Sequence, residues 1–353
     1  MSGGLVRLEM TTVDRPTEPA AAPSRLMLGA AFAAIYLIWG STYLAIKYAI
    51  ETVPPFLMTG TRFLIAGVLL YAWSAWRAKG TPSEDPALRV SSRVRAWRDA
   101  FLVGAMLIVG GTALVSWAEL SVPSGITSLV LATTPLWMVL LEALSARQAP
   151  TPRVIAGVAV GIGGLAILIG PSLAAPGSGV DLLGVGALAL AALTWSGGAL
   201  YSRRAALPAA PARATGMQMI AGAVLSLGIG FVLGEHHRVS LAAITPSSVV
   251  AIAYLVVAGA LVGFSAYLWL MRVSVPSRVA THAYVNPVVA VLLGWAILGE
   301  AFTMRTGVAM GVIVIAVVLI VTGARTTAPS RSGVHATSPG ARARRGLASQ
   351  RAA

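Results

Sequence analysis

Apolar residues in this chain do not alternate with polar ones. They come in runs of about twenty, the length a helix needs to cross the hydrocarbon core of a bilayer. Ten runs can be placed, at 27–48, 55–76, 100–118, 125–145, 153–170, 182–202, 214–233, 248–271, 278–299 and 305–323. The pattern predicts an all-α integral membrane protein with ten transmembrane helices. The flanks, 1–26 and 324–353, are rich in Arg, Pro, Ser and Thr and are expected to be disordered. The first shows no apolar core followed by a cleavage site, so it does not read as a signal peptide. The longest connection is the basic stretch 77–99, expected to be a loop.

Two runs carry a proline at their centre, Pro135 in 125–145 and Pro287 in 278–299. Proline removes a backbone donor. In a bilayer that is tolerated where the freed carbonyl is buried in protein or lines a cavity. Each of these runs follows a Ser-Val-Pro-Ser tetrapeptide, at 121–124 and 274–277. The likeness extends further. Trp39 to Lys47 aligns with Trp195 to Arg203, Thr59 to Gly67 with Thr215 to Gly222, and Gly157 to Gly161 with Gly307 to Gly311. The chain therefore reads as a duplication, 27–170 and 182–323, with five spans in each copy. Five is odd, so the second copy enters the membrane upside down. Two inverted five-helix repeats are the plan of many secondary transporters, which bind near the midplane between the halves and expose the site to alternate sides.

Composition agrees with a membrane chain. Only 11% of residues are charged, against about 25% in soluble domains. The net charge of +14 does not point to nucleic acid, because the basic residues lie in tails and connections. With the N-terminus placed inside, every Lys and Arg except Lys47, Arg62, Arg238 and Arg305 falls on the inner side. The positive-inside rule then makes both termini cytoplasmic. No cysteine is present, which excludes disulfides and thiol chemistry. The four histidines show no metal-ligand spacing and no Walker phosphate loop occurs, so no cofactor and no direct ATP coupling are expected.

The motifs together resemble the EamA-type drug/metabolite transporters, in their YedA-like branch of bacterial inner-membrane permeases. The likeness rests on WGSTY from Trp39, the RF pair at Arg62, VPSG at 122–125, Thr134–Pro135 and the run from Ala283 to Glu300. It covers roughly 28–323. In the first copy the place of Glu300 is taken by Gln148. The resemblance implies spans one to four and six to nine around a central cavity, with spans five and ten outside it. It also implies export or import of amino acids and other small metabolites across the inner membrane.

Several side chains are candidates for the pathway. Thr134 and Asn286 precede the two prolines and could meet polar groups of a substrate. Trp39 and Trp195 are repeat mates near mid-span, and Tyr36, Tyr43, Trp137, Tyr284 and Trp295 could extend an aromatic lining. Arg62 lies roughly 10 Å into its span at 1.5 Å per residue, where a charge must be paired or wetted. Glu119 is the expected partner. Lys47 and Glu51 read as interfacial, Glu142 as a partner of Arg147, and His282 as a residue one turn from the cytoplasm, with proton relay as the alternative. The glycine faces at 157–161 and 307–311 admit packing within the protomer or in a homodimer. The leading reading is a secondary transporter, working as an exporter, with a small-molecule substrate and the lipid bilayer as partners. An uncoupled facilitator and a non-transporting scaffold are the alternatives. A membrane-embedded enzyme would need convergent acids or metal ligands that this sequence lacks.

Overall fold

The computed structural model describes residues 24–77, 86–147, 149, 151–174, 181–274, 276–279 and 282–323. The tail expectations for 1–23 and 324–353, and Gln148, lie outside these residues. The described residues contain helices and no strand. Helix α1 (Arg25–Ile50) begins under a serine cap, Ser24 Oγ accepting from the Met27 amide at 3.2 Å. Helix α2 (Pro55–Arg77) opens on a proline, whose missing donor is harmless there. Its next amides, of Phe56 and Leu57, donate to the Glu235 carboxylate at 3.3 and 2.9 Å.

Helix α3 (Pro86–Gly104) runs without interruption through a π-helical stretch, Ala105–Ala113, into α4 (Leu114–Ala118). The basic connection is thus shorter than expected. Ala96, Ala100 and half-buried Trp97 pack on Met217 and Tyr71, which holds this part as a helix before the apolar run begins. Helix α5 (Ser124–Leu131) and α6 (Thr134–Ala146) are two pieces of one span, and α7 (Pro152–Ala174) follows. Helix α8 (Leu182–Ser202) is capped by Asp181, and α9 is Pro211–Val232. Helix α10 (Pro246–Tyr254), a second π-helical stretch at Leu255–Phe264 and α11 (Ser265–Val273) form another continuous span. Then come α12 (Pro276–Val279), α13 (His282–Leu298) and α14 (Met304–Gly323).

Among the described residues seven helices are long and apolar enough to cross a membrane: 25–50, 55–77, 92–118, 124–145, 182–202, 211–232 and 246–273. Three shorter apolar helices occupy 152–164, 285–298 and 304–320, at the other expected spans. The two prolines behave differently. At Pro135 the span breaks between Leu131 and Thr134, with the hydroxyls of Thr133 and Thr134 covering the carbonyls of Val130 and Leu131 at 2.7 and 2.6 Å. At Pro287 the helix continues without a break. With its amide turned so that the nitrogen meets acceptors, Asn286 donates to the carbonyls of His282 (3.1 Å) and, on α1, Tyr36 (3.0 Å) and Ile35 (3.3 Å), tying this turn to its neighbour.

The bundle is built from a few long contacts. Helix α2 lies along α9, and α7 along α14. Helix α1 packs on α13 and on the π-helical stretch 255–264, while α8 packs on α5, α6 and the stretch 105–113. Gly157 faces Ala316 and Ile320 of α14, so this glycine face packs within the protomer. The connections gather at two ends. One end carries Arg77, Arg147, Arg203, Arg204 and Arg272; the other carries Glu51, Glu119, Asp181, Glu235 and Glu300.

Candidate functional site

Where α1, α2, α8, the two π-helical stretches and the two proline-bearing spans converge, they leave a cavity of about 120 Å³. Trp39, Tyr43, Phe63, Trp195 and Phe264 bring aromatic rings to its wall. Trp39 meets Trp195 edge-on, ring centroids 5.5 Å apart, and both lean on Tyr267 at 5.0 and 5.5 Å. Trp195 Nε1 donates to the Tyr267 hydroxyl at 3.2 Å. Phe264 closes on Trp195 and on Phe63, at 6.0 and 5.5 Å. Edge-to-face contacts of this kind fix the rings beyond what burial alone does.

Two glycines let the tryptophans in. A Cβ on Gly111 would lie 2.7 Å from the Trp195 ring, and one on Gly263 would lie 2.6 Å from Trp39 Nε1. Both glycines sit in the π-helical stretches. Trp39 is in the first half of the sequence and Gly263 in the second; Trp195 and Gly111 are disposed the other way round.

The polar lining is sparse. The hydroxyls of Thr42, Thr112, Ser128 and Thr134 all donate to carbonyls of their own segments, at 2.7, 3.1, 2.7 and 2.6 Å, so their lone pairs are what they offer a ligand. Arg62 is the charged side chain on the wall. It is 4% exposed, its Nε has no hydrogen-bond partner, and its guanidinium lies 4.8 Å from the Phe63 ring centroid. His282 completes the wall, edge-on to Trp39 at 5.4 Å.

Of the residues expected from sequence, Trp39, Tyr43, Arg62, Thr134, Trp195, Asn286 and Pro287 come together on the cavity. Tyr36, Pro135 and Trp137 are absent from that wall. Tyr36 packs on Phe32 at 5.9 Å, and Pro135 is buried in the first turn of α6. Trp137 is half-buried on α6, beyond the break at 132–133. Trp295 is 57% exposed on the outside of the bundle. The side chain of Tyr284 lies outside the described residues. Sequence reasoning missed Phe264 and Tyr267 and undervalued His282; burial of large aromatic rings on one helical face is the signal that could have found the first two.

The expected Arg62–Glu119 pair is not made. Glu119 is fully buried, yet neither carboxylate oxygen has a hydrogen-bond partner. Lys47 reaches the same turn but donates its Nζ to the Glu119 main-chain carbonyl. The expected Glu142–Arg147 pair is also absent; among the described residues the ion pair is Arg98–Asp99, at 2.8 Å. Glu119 borders a separate vestibule of about 470 Å³ at the acidic end, beside Lys47, Glu51 and Glu300, with its own carboxylate oxygens buried. Glu300 is engaged there as a helix cap. Its carboxylate accepts from the Ser124 amide (2.8 Å), the Ser124 hydroxyl (2.9 Å) and the Gly125 amide (3.0 Å) at the start of α5.

Comparison with known proteins gives the same architecture a family. The model of the EamA-like transporter family matches residues 26–170 and again 182–322. The inner membrane transporter YedA of Escherichia coli K12, itself named as uncharacterized, is 35% identical over 303 residues, 84% of this chain and 91% of that protein. A Salmonella typhimurium protein named "Probable amino-acid metabolite efflux pump" is 24% identical over 278 residues, 76% of this chain and 86% of its own. A protein crystal structure superposes with a TM-score of 0.60 at 23% identity, covering 86% of this chain and 99% of that one, which supports the fold.

Proposed function

The chain belongs to the EamA-like transporter family, and from that premise we propose that it exports small amphiphilic metabolites of the amino-acid class by alternating access. On this reading 27–170 and 182–323 are two inverted repeats of five spans each, flanked by cytoplasmic tails at 1–26 and 324–353. The basic end faces the cytoplasm.

One observation carries the proposal: the cavity lies where the halves meet, and repeat mates Trp39 and Trp195 touch across it beside Arg62. Other mates support the same plan. Helices α2 and α9 pair, as do α7 and α14, and the π-helical stretches recur in the third span of each half. A ring-lined hole with one guanidinium suits a carboxylate on an apolar body. The cavity is close in size to the ~150 Å³ that accepts a benzene, which favours compact cargo. The name of the Salmonella relative points toward the same class. Tyr284 stays within the proposed pathway on sequence grounds, and Glu119 is assigned to the acidic end of it.

Counterflow in proteoliposomes tests the function. Vesicles preloaded with a pool of amino acids and aromatic carboxylates should take up labelled members of that pool faster than protein-free vesicles. Folded protein that gives no counterflow with any member overturns the substrate class. Reporter fusions should read cytoplasmic after residue 90 and external after residue 178; the reverse at either site overturns the inverted topology.

A further inference from the structure

The cavity gives Arg62 a role but leaves Glu119 without one. This side chain is fully buried, and both its oxygens lack a donor. A carboxylate ion in that condition is strongly disfavoured, whereas a protonated carboxyl is far less so. Several donors near it serve other acceptors. Lys47 holds the main-chain carbonyl of Glu119, Ser121 Oγ donates to Asp181 at 2.7 Å, and Ser124 and Gly125 serve Glu300.

Its position is that of a partition. Val115 faces the cavity and Glu119, one turn later, borders the vestibule; Ile46 and Lys47 on α1 divide in the same way. The two spaces share no lining residue. The charged and titratable groups that face Glu119 are Tyr43, Lys47 and Glu51 from α1 and its end, Arg62 from α2, and Glu300 from the end of α13. Lys47 and Arg62 favour the ion and Glu300 opposes it. Neither cation is turned onto the carboxyl, so the favourable pairing is unused in this arrangement.

We propose that Glu119 is the proton-binding site of this transporter: with its carboxyl protonated the acidic end stays closed, and losing the proton to vestibule water accompanies opening of that end. The step is a simple protonation: one oxygen of the carboxylate takes a proton from water on the acidic side, and the O–H bond breaks again on opening. In the open arrangement the ion meets Lys47 or Arg62, so the ion pair expected from sequence belongs to that arrangement. The inference rests on the alternating-access reading. It adds that the cycle carries a proton, which separates a coupled transporter from a facilitator.

The native chain has no cysteine, so a single Thr112→Cys in the cavity wall reports access without other changes. A membrane-impermeant maleimide is applied to right-side-out vesicles, and its rate is normalised to that of the unfolded chain at the same pH. With Glu119 present, labelling should fall as the external pH drops from about 8 to about 5, roughly tenfold for each unit by which the carboxyl's proton affinity differs between the two states. Glu119→Gln should label slowly and be indifferent to pH. If that variant does not reach the membrane, Glu119→Met, neutral and of similar length, takes its place. Labelling that occurs but is flat with pH in the parent, or equally pH-sensitive in the neutral variant, overturns the proton site while leaving alternating access intact. Absence of labelling at every pH in both proteins overturns alternating access and the proton site with it.

Discussion

Replacing Arg62 by Gln asks why a guanidinium is held inside the bundle at all. The side chain is 4% exposed, its Nε is unpartnered, and Glu119 gives it no hydrogen bond. Placing arginine mid-span costs about 2.5–3.5 kcal/mol on an insertion scale, so removal should leave stability unchanged or raise it by up to ~2 kcal/mol. The fold already accepts an amide at the aligned place: Gln218 is 1% exposed with its Oε1 unpartnered. Binding should move the other way. A charge-assisted hydrogen bond contributes about 1.5–3 kcal/mol, so Arg62→Gln should weaken carboxylate binding by roughly 10- to 150-fold. Arg62→Lys should restore part of this, because a point charge lacks the two-pronged fork. The assay compares thermal stabilisation of purified protein by phenylacetate and phenylalanine with that by their uncharged amides. A variant that melts well below the wild type while keeping its carboxylate preference would show that Arg62 supports the fold and not the ligand.

Three further outcomes are expected. Pro135→Ala should keep its break, since Thr133 and Thr134 still cover the carbonyls, while Pro287→Ala supplies a missing donor inside α13 and should raise the melting temperature while slowing counterflow. Gly104→Ala places a Cβ 2.5 Å from the Gln218 carbonyl and should destabilise by about 1–3 kcal/mol, visible as lost monodisperse protein on size exclusion; Gly163→Ala has nothing within 4 Å and should not. Asp181 is held below its usual carboxylate range by the Ser121 hydroxyl and then the Leu183 amide. Its stabilisation is full above the unfolded-state value of about 3.9 and is lost as pH falls through the lower folded value. Asp181→Asn should accordingly flatten the acid limb of a melting-temperature profile below about pH 4.

Helix placement was legible because bilayer thickness sets the length of every apolar run. The span expected at 182–202 is the helix Leu182–Ser202, and that expected at 55–76 is Pro55–Arg77. The cavity was legible in part, since Trp39 and Trp195 could be paired by the repeat. Three things were not. The π-helical stretches have no local signature, because their sequences, such as Ala105–Ala113, are as apolar and glycine-bearing as ordinary spans. Caps supplied from afar, Glu235 to Phe56 and Glu300 to Ser124, depend on residues more than a hundred positions apart coming together. The facing of Trp137, beyond the break between α5 and α6, was the third, since proline alone does not set how far a break rotates the helix that follows.

The cavity is shaped as much by missing atoms as by those present. Each tryptophan occupies room that a single methyl at Gly111 or Gly263 would fill, and each glycine belongs to the opposite half of the chain from the ring it admits. Cargo size is therefore written in two hydrogens far apart in the sequence, outside the polar groups that read its charge. A relative with alanine at either position has to tilt a ring into the hole or spread the halves, and the two routes give it a narrower or a leakier channel of the same polarity.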